Sequence, residues 1–425
     1  MAASQRKQTH DSSPLKRPKR NSCRIFSIFF HPSSDVTALG GAEKRFIETL
    51  KFYCKQQDLQ ITVLESAPGL LREKEFHCQI HRLAASYRGK GWLTSYVGWL
   101  LWAIRAVVGT PILARRSESN IMLVPNNTIP NLVAGSIVNR ILKLRMCVIA
   151  HHIDVPTFTS PRQPEPAYYT CYRSIGYSKP VSLTKTIGTH LTLMLLRRAD
   201  TIITVSNCTA KALANSGVTS SRIHVNGNAI HTELLSSRTK RLENRIYDGV
   251  FVGRISKEKG VFDLLRLWRQ VVRVRKKAKL LIIGNGLELH HVNQRIITLG
   301  LVNRIFVRNG CSDQELHRLL DKSKAFIFPS VFEGWGIAVA EALSHGLPVV
   351  AYDIPAIREI FGECKSVFLV PTKNLASLTS TVLDLLETTK EEFSKLSQDS
   401  IQFAKQFSWE RIANKDIESL KSLQN

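Results

Sequence analysis

Acidic residues are scarce in this chain, which has 34 Asp and Glu against 59 Lys and Arg and a formal net charge of +25. A surplus of this size indicates an anionic partner: nucleic acid, an acidic membrane surface or a phosphorylated ligand. Neither the cysteine–histidine spacing of zinc fingers nor the aromatic pattern of RNA-binding domains occurs in the sequence. Nucleic acid is therefore the least favoured of the three partners.

Closely spaced cysteines and an N-terminal apolar run are also missing. The eight cysteines form no Cys-x-x-Cys pair, which is usual for reduced thiols in a cytosolic protein. No apolar run begins near Met1, so we expect no secretory signal. Both absences predict a cytoplasmic protein.

The chain is long enough for two domains, with 425 residues of which 44% are hydrophobic. Residues 1–23 are basic and poor in apolar side chains, which predicts a disordered tail. Apolar strands then alternate with helices of 10–15 residues in two blocks, 24–230 and 247–408, and this alternation is typical of parallel sheets flanked by helices. The polar residues 231–246 are the predicted linker, and 409–425 form a last helix.

One stretch of the second block suggests chemistry. A short apolar strand, 325–328, leads through a glycine-punctuated loop to a helix that begins near Gly336. Glu333 lies just before this helix and Glu341 within it. Because helical side chains lean towards the N-terminus, both carboxylates can face one mouth, where free N–H groups attract phosphate. A ligand with hydroxyls at both ends and phosphates between them, such as a nucleotide-sugar, suits this arrangement.

The same stretch resembles a known family. Glu333, seven intervening residues and Glu341 lie within Pro-Ser-x-Phe-Glu-Gly-Trp-Gly, which is similar to the donor site of retaining glycosyltransferases of family GT4. The resemblance implies that Glu341 accepts hydrogen bonds from the ribose hydroxyls and that Glu333 holds the sugar. It also implies that Gly334 and Gly336 belong to the donor-binding loop.

Two further elements follow the order of this family. Gly40 and Gly41, after the first predicted strand, resemble its Gly-Gly-Ala-Glu loop, which implies that they face the donor phosphates and the acceptor. Gly253, Arg254 and Lys259 resemble its Gly-Arg…Lys-Gly element. An Arg that bridges two oxygens and a Lys that acts as a point charge suit a diphosphate.

Two histidines follow the predicted strand 145–150. His151 and His152 therefore lie where open α/β sheets bind ligands. Family members carry a histidine here close to the transferred sugar, and the sequence does not decide which of the two is equivalent. A structural role for both is the alternative.

The resemblance implies the GT-B fold, in which two Rossmann-like domains with parallel sheets face a central cleft and the last helix crosses back to the first domain. The implied reaction is hexosyl transfer from a nucleotide-sugar, UDP- or GDP-linked, to an acceptor hydroxyl with retention. No Asp-x-Asp motif occurs at a strand end, so we expect no obligatory divalent metal, and no cofactor besides the donor. Two alternatives remain: a sugar-nucleotide epimerase of the same fold, and a non-catalytic basic protein that binds lipid or nucleic acid.

Residues 91–116 contain three tryptophans, Trp92, Trp99 and Trp102, and no acidic residue. Arg105 near the middle disfavours a membrane span. Two hypotheses remain: a core helix with a bulky apolar face, or an interfacial helix that rests on an anionic membrane surface. In the second case the protein is peripheral at the inner face of the membrane, and its acceptor is lipid-linked or membrane-bound.

Overall fold

The computed structural model describes residues 23–31, 40–67, 69–71, 75–76, 78–84, 92–153, 168–231 and 245–424. Of the predicted tail 1–23, only Cys23 is among them. Most of the predicted linker, 232–244, lies outside the described residues as well.

The first domain is built on a sheet of seven described strands. They are β1 Cys23–Phe29, β2 Leu59–Ala67, β3 Gln79–Ala84, β4 Ile121–Val124, β5 Arg145–Ala150, β6 Thr201–Thr204 and β7 Ile223–Val225. Their order across the sheet is β3-β2-β1-β4-β5-β6-β7, and all neighbours are parallel. Side chains on both faces of the central strands are apolar because helices cover both faces.

Six described helices connect these strands. They are α1 Gly41–Tyr53, α2 Trp92–Arg116, α3 Ile129–Leu142, α4 Tyr168–Ser174, α5 Lys179–Leu196 and α6 Asn207–Asn215. The core residues of α2, α3 and α5 belong to the cluster that holds Phe26 and Val148 of the sheet. Those of α1 belong to a second cluster with Phe29 and Ile149. Since neighbouring residues of a strand point to opposite faces, α1 and the α2–α3–α5 layer lie on opposite sides of the sheet.

The second domain repeats this design with six described strands. They are β8 Tyr247–Val252, β9 Leu280–Ile283, β10 Ile305–Arg308, β11 Ser323–Phe328, β12 Val349–Tyr352 and β13 Val367–Val370. The order is β10-β9-β8-β11-β12-β13, again parallel. The helices are α7 Val261–Val274, α8 Leu289–Thr298, α9 Asp313–Asp321, α10 Ile337–Ser344, α11 Pro355–Phe361, α12 Leu375–Glu387, α13 Lys390–Ala404 and α14 Trp409–Lys421. The predicted fold class, two Rossmann-like parallel-sheet domains, is confirmed.

The sheet order fixes where a ligand binds. In each sheet the strand order reverses direction at one point, between β1 and β4 and between β8 and β11. Open α/β sheets bind ligands at this switch point, beyond the carboxyl ends of the strands. Gly41 follows β1, Gly253 follows β8 and Glu333 follows β11, so the three predicted motifs all lie at switch points.

The last helix, α14, packs against the first domain. Asp416 of α14 accepts hydrogen bonds from Arg45 Nη2 at 2.9 Å, from Tyr53 Oη at 2.6 Å and from Asn226 Nδ2 at 2.7 Å. The Arg45 and Asp416 side chains are fully buried. Although burial opposes its charge, the carboxylate of Asp416 raises the pKa of Arg45 above its usual value. A buried ion pair with all these partners fixes the C-terminus of the chain to its first domain.

The tryptophans of α2 decide between the two hypotheses for residues 91–116, a core helix and an interfacial helix. Trp102 is fully buried, with its ring 4.8 Å from that of Phe30, and Trp99 is half-buried, 6.1 Å from the same ring. These two rings fill the space between α2 and the sheet, so of the two hypotheses for this segment the core helix holds for Trp99 and Trp102. The side chain of Trp92 lies outside the described residues. No described helix is both long and apolar enough to span a bilayer.

We expect Asp416→Ala to lower the free energy of unfolding by ~3–5 kcal/mol, because it leaves the buried Arg45 guanidinium without its anion. The matched control is Asp58→Ala, which removes an exposed ion pair to Lys421 of the same helix, 2.6 Å long, and should cost less than ~1 kcal/mol. Urea titrations of both variants measure the difference. Equal destabilisation by the two substitutions would contradict the role of Asp416.

Candidate functional site

The loop between β11 and α10 is held by the loop that follows β8. The Val331 N–H donates to the Glu258 carbonyl at 2.9 Å. Gly260 has a φ of +69°, and a Cβ atom there would lie 1.9 Å from the Pro329 carbonyl oxygen. Only glycine fits this position, since it tolerates both the left-handed backbone and the close approach. The two loops therefore form one rigid mouth at the switch point of the second sheet.

Glu333 lies at this mouth against Lys259, as the sequence predicted for a site with both residues. The Lys259 Nζ to Glu333 Oε1 distance is 2.5 Å, and the side chains are 19% and 11% exposed. Burial makes this charge-assisted hydrogen bond stronger than a surface pair. The carboxylate and the cation thus neutralise each other.

Glu341, one turn into α10, is paired with a residue of the other domain. Lys44 Nζ of α1 lies 2.5 Å from Glu341 Oε1 and 3.7 Å from Asp313 Oδ1. Burial works to lower the pKa of Lys44, but Glu341 and then Asp313 outweigh it, so the pKa is raised. Lys44 was not predicted from the sequence. Its position directly after Gly-Gly-Ala-Glu is the feature that could have identified it as a site residue.

Arg254 is on the same β8 loop and is exposed. Nearby, Glu258 accepts a hydrogen bond from the hydroxyl of Tyr177 in the first domain. Burial works to raise the pKa of Glu258, but the Lys185 ammonium, the Tyr177 hydroxyl and the Arg254 guanidinium together lower it. Glu258 is therefore ionised at neutral pH, and Arg254 keeps a guanidinium directed to solvent near the mouth.

The two domains touch at the predicted glycines. A Cβ atom on Gly334 would lie 1.7 Å from the His151 carbonyl oxygen, and one on Gly41 would lie 2.9 Å from Ile337 Cδ1. Glu359 of α11 also accepts hydrogen bonds from the backbone N–H groups of Asn207 and Cys208, each at 2.7 Å, across the domains. The domains are therefore closed upon each other.

His151 and His152 have different surroundings. His151 Nε2 lies 3.0 Å from the Pro125 carbonyl oxygen, and burial, followed by the charge of Arg45, lowers the pKa of His151 to about 3. His151 is thus a neutral donor to its own domain. The ring of His152 instead lies 6.2 Å from that of Phe332, next to Glu333. Of the two histidines, His152 is the one that faces the donor-site loop.

The remaining predicted glycines lie at the ends of the elements that form this mouth. Gly40 precedes α1, Gly253 follows β8, and Gly336, with a φ of +102°, precedes α10. In the described parts of the chain, no three His, Cys, Asp or Glu side chains are arranged to hold a metal ion. The groups gathered here are two carboxylates, three cations and helix N-termini, which suit hydroxyls and phosphates.

Comparison with known proteins supports the resemblance seen in the sequence. Residues 239–407 match the family described as glycosyl transferases group 1. The chain is 28% identical over 227 residues to an MMP alpha-(1->4)-mannosyltransferase of Mycolicibacterium hassiacum, covering 52% of this chain and 54% of that protein. A GDP-mannose:cellobiosyl-diphosphopolyprenol alpha-mannosyltransferase of Xanthomonas campestris is 24% identical over 203 residues, 47% of this chain and 53% of that one. The matched segments thus span about half the length of these relatives.

Solved structures match nearly the whole chain. HepE of Anabaena, solved with UDP and glucose, has a TM-score of 0.68 at 20% identity and covers 93% of this chain and 99% of its own. Sucrose-phosphate synthase of Thermosynechococcus elongatus has a TM-score of 0.71 at 16% identity, covering 95% and 99%. At these identities the likeness establishes the shared fold.

The contact at Gly334 predicts that Gly334→Ala forces the domains apart. The added methyl group overlaps the His151 carbonyl, so we expect a larger radius of gyration in small-angle X-ray scattering and a loss of ~1–3 kcal/mol in stability, as for other overpacked sites. The control is Gly109→Ala in α2, where a Cβ meets nothing within 4 Å and stability should rise by ~0.5–1 kcal/mol. An unchanged radius of gyration in Gly334→Ala would contradict this closure.

Proposed function

We propose that this chain is a glycosyltransferase that moves a hexosyl group from a nucleotide-sugar to an acceptor hydroxyl with retention, because residues 239–407 match the glycosyl transferases group 1 family. One observation supports this most strongly. Glu333 and Glu341 lie at the switch point of the second sheet, each against a lysine. The mouth faces the Gly40-Gly41 turn of the first domain, as a donor bound between two domains requires.

The carboxylates recognise the hydroxyls of the donor. Glu341 accepts from the ribose hydroxyls, and Glu333 accepts from the transferred sugar. A hydrogen bond to a carboxylate contributes ~1.5–3 kcal/mol, so two such residues select a ligand with hydroxyls at both ends. Gly334 and Gly336 let the backbone approach the donor between these side chains.

The cations act on the diphosphate. Lys259 lies 2.5 Å from Glu333, which supports a role for its ammonium at the junction of sugar and phosphate. Arg254 is exposed at the same mouth and can bridge two phosphate oxygens. Both stabilise the negative charge that grows on the diphosphate as the bond to the sugar breaks.

The reaction breaks the bond between the anomeric carbon and the phosphate oxygen and forms one from that carbon to the acceptor oxygen on the same face. The departing phosphate takes the acceptor proton, so no side chain has to serve as the base. His152 faces the loop of Glu333 through Phe332 and lines the side of the sugar. His151, with a pKa of about 3, stays neutral and contributes its backbone carbonyl to the closed cleft.

The names of related proteins suggest the first substrates to test. One relative is named for GDP-mannose and a diphosphopolyprenol acceptor, and one structural neighbour binds UDP and glucose. We propose a UDP- or GDP-linked hexose as donor and a lipid-linked glycan as acceptor. The protein should be incubated with a panel of nucleotide-sugars, with and without lipid extract, and nucleotide release measured. Conversion of the donor to an epimer would instead favour an epimerase, and no turnover of any donor would favour a binding protein.

We expect Glu341→Gln and Arg254→Ala each to lower kcat/KM for the donor at least ~100-fold, as loss of one electrostatic contact at a reacting centre does. Glu391→Gln, an exposed glutamate on α13, is the control and should retain full activity. Thermal unfolding of each variant separates loss of function from loss of fold. Near-normal turnover by either site variant would refute this assignment.

A second prediction concerns metal. Lys259, Arg254 and the helix N-termini supply the positive charge that a divalent cation provides in other enzymes. We therefore expect activity to survive EDTA without loss. If EDTA abolishes turnover and Mg²⁺ or Mn²⁺ restores it, the proposed stabilisation of the diphosphate is wrong.

A further inference from the structure

Three neighbouring helices of the first domain carry large apolar side chains on the side that faces solvent. Helix α2 contacts α3, and α3 contacts α5, so the three form one layer on the sheet. Their exposed apolar residues, here called the helix face, are Leu100, Leu101, Ile104, Val108, Ile112, Ile137, Ile141, Leu183, Ile187 and Met194. Val108 is 71% exposed and Ile187 is 60% exposed.

These residues are additional to the core of the domain. In α2 the side chains of Trp102, Ala106 and Ala114 face the sheet and are buried. At 100° per residue, Leu101, Ile104, Val108 and Ile112 form a separate stripe on the opposite side of the helix. When both sides of a helix are apolar, both are expected to be in contact with other apolar groups in the functional protein.

The charge around the helix face indicates which kind of partner binds there. No Asp or Glu occurs in the sequences of α2, α3 and α5. Residues 76–199 as a whole contain 15 Lys and Arg and 3 Asp and Glu, a net charge of +12. Arg105, Arg115, Arg116, Arg140 and Lys143 are exposed on or beside the three helices. A second copy of this chain would bring the same positive charge and be repelled, whereas anionic headgroups would be attracted.

We propose that the helix face docks on an anionic lipid bilayer, with its aliphatic side chains below the headgroups and its cations among them. This pattern, apolar side chains in the middle and cations at the border, is typical of interfacial helices. The inference goes beyond the proposed function, because binding to lipid requires neither donor nor turnover.

The position of the helix face suits a membrane-held substrate. Helices α2 and α3 follow the carboxyl ends of β3 and β4, at the edge of the sheet that borders the cleft, and α5 begins two residues after Tyr177, which contacts Glu258 of the second domain. A bilayer on the helix face would therefore lie beside the mouth of the cleft. An acceptor anchored in that bilayer could reach the cleft without leaving the membrane.

The test uses the full chain and vesicles of phosphatidylcholine with or without phosphatidylglycerol. The wild-type chain should sediment with the anionic vesicles and much less with the neutral ones. Val108→Ser, Ile112→Ser and Ile187→Ser combined should lower the partition coefficient at least tenfold. The matched control, Leu287→Ser, Ile297→Ser and Val302→Ser combined, removes equally exposed side chains of the second domain and should bind like wild type.

Two double variants that remove positive charge complete the experiment. Arg115→Gln with Arg116→Gln should weaken binding by about fivefold for each cation removed, whereas Lys276→Gln with Lys277→Gln in the second domain should not. The basic residues 1–22 are the same in all variants, so they cannot produce these differences. Unchanged anionic binding in the serine variant, or a wild-type dimer that this variant converts to a monomer in light scattering, would overturn the proposal. Unchanged melting temperatures show that each variant is folded.

Discussion

The two carboxylates of the candidate site can be buried at one mouth only because a cation lies against each of them. Glu333 has Lys259 at 2.5 Å, and Glu341 has Lys44 at 2.5 Å. An unpaired buried carboxylate would take up a proton or destabilise the fold. One of these cations comes from the same domain and the other from the opposite one, so the neutrality of the site depends on how the domains are arranged.

This dependence links ligand binding to domain closure. Gly334 is so close to the His151 carbonyl that not even a methyl group fits between them. In the proposed function, a donor sugar that enters between these loops moves them apart, and its hydroxyls replace the lysines at the two carboxylates. The proposal then has the released ammonium groups beside the diphosphate, so that the lysines that pair with the carboxylates would also hold the donor. The same lysines thus serve both states.

The sequence predicted the parts of this site that are local and missed those that arise from long-range contact. Apolar runs ending in glycine-rich turns located β1, β8 and β11, because buried parallel strands and their turns leave clear local patterns. Lys44 was not predicted, since its partner Glu341 is 297 positions away. The sequence also left the orientation of α2 open. Its tryptophans and its aliphatic side chains are both apolar, and only packing against Phe30 decides which side faces the sheet.

The positive charge of the chain is larger than the proposed nucleotide-sugar site accounts for. Arg254, Lys259 and Lys44 suffice for one diphosphate, and two of them belong to the second domain and one to α1. Yet residues 76–199, which contribute none of these three, carry a net charge of +12. Self-repulsion of this size destabilises a compact domain unless an anionic partner offsets it. The excess coincides with the three helices whose outer sides are apolar, so charge and apolar area both fit a lipid surface beside the cleft rather than a larger ligand within it.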